Sequence, residues 1–337
     1  MNPADSKLPW VSVLMPVRNE EDFIAKSLQA VLDQDYPEEK MEIVIADGRS
    51  QDQTRALVEK FMKRHSSIRL IDNPRGIVSS GLNACLPVSR GEIIVRVDGH
   101  CEIAPDYVSR CVELLEKGDA GAVGGPIETV GETFAARAIA LAMSSFFGVG
   151  GSAFRTLKNE RKYVDTVAFF AARRETLEKA GPFDEELVRN QDDEYNYRLR
   201  KIGFRILLDP SIRSRYYSRA GLGSLGKQYF QYGFWKVRVM QKHPLQMQWR
   251  QFVPAVFVLS LGASLVLSFF GETGGAMPGF ILGSYLAINL LASLAVSSKS
   301  GWRNLCLLPF VFAVLHLAYG LGFWGGLFYF FKRRRSS

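Results

Sequence analysis

The sequence predicts an α/β fold on a mainly parallel sheet, followed by transmembrane helices towards its C-terminal end. Two observations carry this expectation. Short apolar runs alternate with amphipathic helical patterns over the first hundred residues, at about 25 to 30 residues per repeat. That is the βαβ signature, with helices on both faces of the sheet. From Phe252 onward the chain is then almost free of charge until Lys332, although 23% of all residues are charged. A length of 337 residues suits about two domains. The expected division is a soluble domain over 1–228, an amphipathic interface segment over 229–251, a membrane domain over 252–331 and a basic tail over 332–337.

Each element follows from its own pattern. "VSVLMPVRN" (11–19) begins as a short apolar strand and ends at Pro16, Arg18 and Asn19. In residues 20–34, Phe23, Ile24, Leu28, Val31 and Leu32 recur at helical spacing. "MEIVIADGRS" (41–50) is a second strand, closed by Asp47 and Gly48. Residues 54–65 form an amphipathic helix, 67–73 a third strand, 77–89 a helix, and "EIIVRVDG" (92–99) a fourth strand. In such sheets ligands bind beyond the carboxyl ends of the strands. Arg18, Asn19, Asp47, Asn73, Asp98 and His100 follow those ends and would converge there. No GxGxxG or Walker-type loop is present, so a dinucleotide fingerprint and a P-loop are not indicated.

"VRVDGHC" (95–101) is the most pointed of these strand ends. In an extended segment Asp98 and His100 would face one side, where oxygen and nitrogen could share a divalent cation. That donor pair suits manganese or magnesium. Gly99 would let the backbone turn and leave room for a bulky anion. A turn in which Asp98 accepts backbone hydrogen bonds explains the same residues. In "NQDDEYNYRLR" (190–200), Tyr195, Leu199 and Ile202 have helical spacing, so the acidic run sits at a helix amino terminus. Carboxylates there are stabilised by the helix dipole by about 0.3–1 kcal/mol.

Taken in order, "VSVLMPVRNEE", "EIVIADGRSQDQT", "RGEIIVRVDGHC", "GPFDEEL" and "NQDDEYNYRLRKIGF" resemble the family 2 glycosyltransferases over roughly residues 10–240. The nearest likeness is to bacterial succinoglycan-type exopolysaccharide glucosyltransferases. The resemblance implies a GT-A nucleotide-sugar-binding fold and an inverting enzyme. It implies that Pro16, Arg18, Asn19 and Glu20 contact the nucleotide and that Asp47 binds the base. Ser50, Asp52 and Thr54 match the rest of that motif, with Gly48 in place of its usual second aspartate. Asp98-Gly99-His100 matches the DxD motif for metal (Mn2+ or Mg2+) and sugar diphosphate, His100 replacing the second aspartate. Asp192 matches the catalytic base, with Gln191 in place of the preceding glutamate, and Phe183 is a packing residue. Gln231 and Trp235 are similar to the QxxRW motif without its arginine, which implies that Trp235 stacks on an acceptor sugar. An amphipathic interface helix explains the same stretch.

The expected activity is transfer of a sugar, glucose first, from a UDP-sugar to a polyprenyl-diphosphate-linked oligosaccharide, one sugar per encounter. Transfer to polyprenyl phosphate is the enzymatic alternative; a non-catalytic scaffold of a polysaccharide export complex is the other. A formal net charge of +8 favours anionic lipid over nucleic acid, because the basic residues are scattered and no nucleic-acid motif accompanies them. Cys85, Cys101, Cys111 and Cys306 form no CxxC pair, which points to a reducing compartment. The first ten residues lack the apolar core of a signal peptide. The nearly apolar stretch 134–154 reads as a helix and loop at the bilayer surface, with Lys158, Arg161 and Lys162 placed to meet a carrier diphosphate. A membrane span or a solvated linker also suits it.

Apolar segments at 252–270, 279–296 and 305–331 approach the roughly 20 residues a span needs. The first two suit the arms of a hairpin. "GETGGAMP" carries no Lys or Arg, whereas "SSKSGWRN" carries Lys299 and Arg303. The positive-inside rule then places the second loop and the catalytic domain in the cytosol, at a bacterial inner membrane. The third segment leaves two readings, one crossing that sends "KRRR" outside or a re-entrant bend at Gly320, Gly322, Gly325 and Gly326.

Overall fold

A computed structural model describes residues 8–118, 120–218, 221–269 and 276–334. The chain forms two compact units, one of residues 1–128 and 157–216, the other of 129–156 and 217–337. This differs from a single cut near residue 228. Residues 129–156 leave the first unit because their helix buries an apolar face of Ala136, Ala138, Ile139 and Met143 within the second.

In chain order, β1 (Val11–Val17), α1 (Ile24–Leu32), β2 (Met41–Asp47), α2 (Thr54–Met62), β3 (Ile68–Asp72), α3 (Val78–Val88) and β4 (Ile93–Arg96) follow the expected alternation. Next come β5 (Cys101–Ile103), α4 (Tyr107–Lys117), β6 (Ala120–Gly124) and β7 (Ile127–Val130). Helices α5 (Phe134–Met143), α6 (Phe146–Val149) and α7 (Ala153–Thr156) belong to the second unit. The chain returns through β8 (Lys162–Tyr163), β9 (Ala171–Arg173), α8 (Arg174–Ala180), α9 (Gln191–Lys201), β10 (Arg205–Leu208) and β11 (Ser214–Tyr217). It ends with α10 (Leu222–Lys242), α11 (Val253–Leu267), α12 (Ala276–Ser300) and α13 (Leu308–Arg334).

The main sheet has eight strands in the order β3-β2-β1-β4-β9-β6-β10-β8. Strands β3, β2, β1 and β4 are parallel, as are β6 and β10. Strand β9 runs antiparallel to both β4 and β6, and β8 antiparallel to β10. The sheet is therefore mixed, because the chain re-enters from the second unit rather than through a βαβ crossover. Every residue of β1 and β2 is buried, as expected for central strands covered on both faces. Pro16 sits inside β1 because pairing with β4 stops at Leu14 and Arg96, two residues earlier. A smaller sheet has the order β5-β11-β7.

In the second unit, α12 and α13 are long and apolar enough to cross a membrane. Helix α11 has 15 residues, about 22 Å of helix against a hydrocarbon core of about 30 Å. The span-length pair is therefore the second and third apolar segments, not the first and second. Helix α12 is reversed in polarity. Its buried positions are Asn289, Ser293 and Ser297, while Leu282, Leu286, Leu290 and Leu291 are exposed. Polar residues turned towards protein and leucines turned outward suit lipid as the surrounding solvent. Asn289 donates to the Pro309 carbonyl and Ser293 to Asn289.

Helix α13 is continuous, so its glycines mark close packing and not a re-entrant bend. A Cβ on Gly322 would lie 2.0 Å from the Phe230 carbonyl oxygen, and one on Gly326 2.5 Å from that of Phe234. From the other side, a Cβ on Gly233 of α10 would lie 2.0 Å from the Tyr319 carbonyl oxygen. These glycines let the α10 and α13 backbones touch. The expected loop at 271–278 lies mostly outside the described residues, as do 335–337 of the expected tail; 332–334 extend α13.

Candidate active site

The site sits at the carboxyl edge of the main sheet, within the first unit. Loops after β1 and β2 are laced together there. Ser50 Oγ accepts from the Asn19 N–H, Thr54 Oγ1 from Glu20 N–H, and Asp52 Oδ2 from Glu21 N–H. In return Asn19 Oδ1 accepts from Gln51 N–H and Glu21 Oε2 from Gln53 N–H. Ser50, Asp52 and Thr54 therefore shape the first loop. Among the described residues, Asn19, Arg49 and Asn190 are the non-glycine residues with positive φ, and all three lie in loops bordering this edge. Such backbone outliers gather at functional sites.

Asp47 closes β2 with its carboxylate buried, 3.6 Å from Arg55 Nη1. The glycine after it fills a tight crossing. A Cβ on Gly48 would lie 3.1 Å from both Arg18 Cβ and Gly76 Cα. A side chain there would need its neighbours to give by a few tenths of an ångström. Arg18 is exposed and donates to the Gly76 carbonyl. Pro16, expected at the nucleotide, is buried in β1 and faces Gly81 of α3.

Strand β4 ends sooner than the pattern suggested, and Gly99 and His100 form a turn before β5. The expectation of an extended Asp98–His100 pair is thus replaced by a turned one. Space beside Gly99 is not open for an anion. A Cβ there would lie 3.0 Å from both Glu20 Cγ and Val17 Cγ1, so the glycine admits the first loop instead. That approach lets His100 Nδ1 meet Glu20 Oε1 at 2.9 Å, with the imidazole edge-on to Tyr216.

Asp98 is gripped by Arg96, two residues earlier at the end of β4. Arg96 Nε donates to Asp98 Oδ1 at 3.1 Å and Nη2 to Oδ2 at 3.3 Å. The third nitrogen, Nη1, lies 4.0 Å from Asp192 Oδ2. Distant sequence motifs thus place the 98 and 192 carboxylates around one buried guanidinium. Burial raises the Asp192 pKa above the ordinary aspartate value; Arg96 opposes this, while Asp98 and Asp193 add to it.

Helix α9 holds Asp192 in its first turn, after Asn190 in a left-handed conformation. Its anchor is Tyr195, stacked on Phe183 at 3.9 Å and on Phe170 at 6.0 Å. The Tyr195 hydroxyl reaches the Leu177 and Gly181 carbonyls. Phe183 is a packing residue, as expected. Glu194 is buried against Arg198, whose other nitrogens bind the Ala180 and Pro182 carbonyls. Two residues without a sequence signal complete the support. Asn83 of α3 exchanges hydrogen bonds with the Phe183 backbone and donates to Glu185, and Ser79 donates to the Leu187 carbonyl. Neither belongs to a motif; their roles depend on α3 lying beside the 183–187 loop. Arg161, expected to meet a carrier diphosphate, is paired with the buried Asp209.

Gln231 and Trp235 belong to α10, in the second unit. Trp235 is packed among Phe234, Phe330 and the apolar cluster around Val237 and Phe323. Trp235 thus takes part in packing and is partly buried.

Asp98 and His100 are oxygen and nitrogen donors of the kinds that Mn2+ or Mg2+ accepts. No group of three or more His, Cys, Asp or Glu side chains is poised to hold a metal among the described residues. Asp98 and His100 would supply one oxygen and one nitrogen. Cations of this kind are commonly held by one or two protein ligands plus substrate phosphates. With Glu20 on Nδ1, Nε2 would be the nitrogen left for a metal, as where carboxylates stand behind ligating histidines.

Comparison with known proteins identifies the family and the fold. The glycosyl transferase family 2 model matches residues 12–181. The succinoglycan biosynthesis protein ExoA of Rhizobium meliloti (strain 1021) is 32% identical over 296 residues, 86% of this chain and 87% of that protein. A Methanococcus voltae protein is 26% identical over 326 residues, 94% of this chain and 97% of its own. Its name is dolichyl N-acetyl-alpha-D-glucosaminyl phosphate 3-beta-D-2,3-diacetamido-2,3-dideoxy-beta-D-glucuronosyltransferase. A mannosyltransferase from Pyrobaculum calidifontis, solved with GDP-Man and Mn2+, shares the fold with a TM-score of 0.59 at 19% identity, covering 95% of this chain and 89% of that one. The chain is a glycosyltransferase and belongs to glycosyl transferase family 2.

Proposed function

We propose that this enzyme moves a sugar, glucose first, from a UDP-sugar to a polyprenyl-diphosphate-linked oligosaccharide at the bacterial inner membrane, with inversion at the anomeric carbon. The observation that carries the reading is the meeting of Asp98 and Asp192 around Arg96. The acceptor hydroxyl attacks the anomeric carbon from the side opposite the diphosphate. Asp192 takes its proton as the new C–O bond forms, the sugar–phosphate C–O bond breaks, and UDP leaves. General-base help of this kind contributes about 10²- to 10⁴-fold. Asp98 and His100 hold the metal–diphosphate end, and a bound Mn2+ or Mg2+ supplies neutralisation of the charge that gathers on the leaving group. Asp47 faces the base, with Arg18, Asn19 and Glu20 forming the adjoining wall and Pro16 supporting it from within β1.

Two relatives support this reading, the second of them for the lipid-linked acceptor. One is named for succinoglycan biosynthesis and the other for transfer to a dolichyl-linked sugar phosphate. The span length of α12 and α13, and the outward leucines of α12, support a membrane setting. Gln231 and Trp235 of α10 are the residues assigned to the acceptor. The test is incubation of membranes containing the protein with UDP-[14C]glucose, Mn2+ and a lipid extract. Label in an extended oligosaccharide lipid is the expected result. Label confined to a monosaccharide lipid would overturn the acceptor, and transfer from GDP-mannose alone would overturn the donor.

A further inference from the structure

Arg96 is the buried group for which the reaction as described has no use. It ends β4, a central strand, and its side chain is 3% exposed. Its backbone is fixed from two sides. The strand pairs with β1 at Leu14, and the Arg96 N–H donates to the Phe170 carbonyl. Two nitrogens are spent on Asp98, and the third, Nη1, is buried with no hydrogen-bond partner. A buried, unsatisfied N–H of a charged group is costly and seldom retained without a use. Asp192 Oδ2 lies 4.0 Å from it.

We infer that Arg96 is a positioning residue that ties the diphosphate-side carboxylate to the acceptor-side one. This rests on the reading of Asp98 and Asp192 above. A guanidinium is a rigid planar fork, so one edge can hold Asp98 while the remaining nitrogen faces Asp192. An approach of about 1 Å would bring Nη1 to hydrogen-bond distance of Asp192 Oδ2. The other Asp192 oxygen is then aimed at the acceptor hydroxyl. Lysine cannot reproduce this, because its single ammonium cannot serve two carboxylates in fixed directions. Arg96 touches neither the sugar nor the acceptor; it acts through Asp192.

The test is a double-mutant cycle on the full-length protein in membranes, with R96K, R96Q, D192N and R96K/D192N. Rates with UDP-[14C]glucose, Mn2+ and lipid extract are taken per UDP-binding site, which removes any unfolded fraction from the comparison. R96K and R96Q are expected to lower kcat by about 30- to 100-fold, with donor KM changed by less than about fivefold. In the D192N background, R96K is expected to lower the residual rate by less than about threefold, since residues acting as one unit are not additive. Equal losses in both backgrounds would overturn the inference, as would R96K turning over at the normal rate or losing only donor affinity. If D192N itself transfers normally, the base assignment fails. If D192N is inactive while R96K is normal, only the role of Arg96 fails.

Discussion

Replacing Gly322 by alanine tests the packing of α10 on α13. The new methyl carbon would stand 2.0 Å from the Phe230 carbonyl oxygen, about 1.4 Å inside the 3.4 Å at which ordinary contact begins. Neither atom is at the end of a flexible side chain, so the two backbones must part. Gly233 approaches the Tyr319 carbonyl as closely from the opposite side, which makes the seam tight at more than one level. Overpacking of a filled interior destabilises by about 1–3 kcal/mol, and backbone-on-backbone contact argues for the upper end. Gly262 of α11 is the control, because nothing lies within 4 Å of its Cβ position. Alanine there should be neutral or stabilising by up to about 1 kcal/mol through helix propensity. Thermal melting of the purified protein in detergent reads both, with UDP binding as a check on the first unit. The reasoning is refuted if G322A melts with the wild type, or if G262A is the more damaging change.

Three further outcomes follow from the site. The base works deprotonated, and burial raises the Asp192 carboxyl, so kcat should be full above that raised pKa and fall as pH drops through it; an acid limb near the ordinary aspartate value of about 3.9 would contradict the burial argument. Glu20→Ala removes the carboxylate behind His100, and the Mn2+ concentration giving half-maximal rate should rise by about 10- to 100-fold; an unchanged Mn2+ titration curve would sever Glu20 from the metal. Arg198→Ala leaves the Glu194 carboxylate buried without its ion pair, which should destabilise the protein by about 3–5 kcal/mol in melting or denaturant titration, whereas a loss below about 1 kcal/mol would show that the pair is well solvated.

The parallel half of the fold was legible because β1 to β4 and their helices repeat one local pattern. The antiparallel β9 was not, since three alanine-rich residues carry no period, and its direction is set by a chain returning from another unit. Asp98 and Asp192 were legible as strand-end and helix-start carboxylates. Arg96 was hidden, because one residue inside an apolar run looks like a strand residue until its neighbour across the cleft is known. Gly99 was misread for a related reason. A glycine announces close approach without saying what approaches, and here it is Glu20 and not a ligand. The glycines of α13 are ambiguous in the same manner. Only the proximity of α10 shows that they serve packing instead of a bend.

The turnover of Asp192→Asn addresses the reaction most directly. Asparagine keeps the size and the helix start but cannot accept the acceptor's proton. With UDP and Mn2+ binding unchanged within about threefold, kcat should fall by about 10²- to 10⁴-fold. Transfer at the wild-type rate, or a loss that tracks UDP affinity alone, would place the base elsewhere.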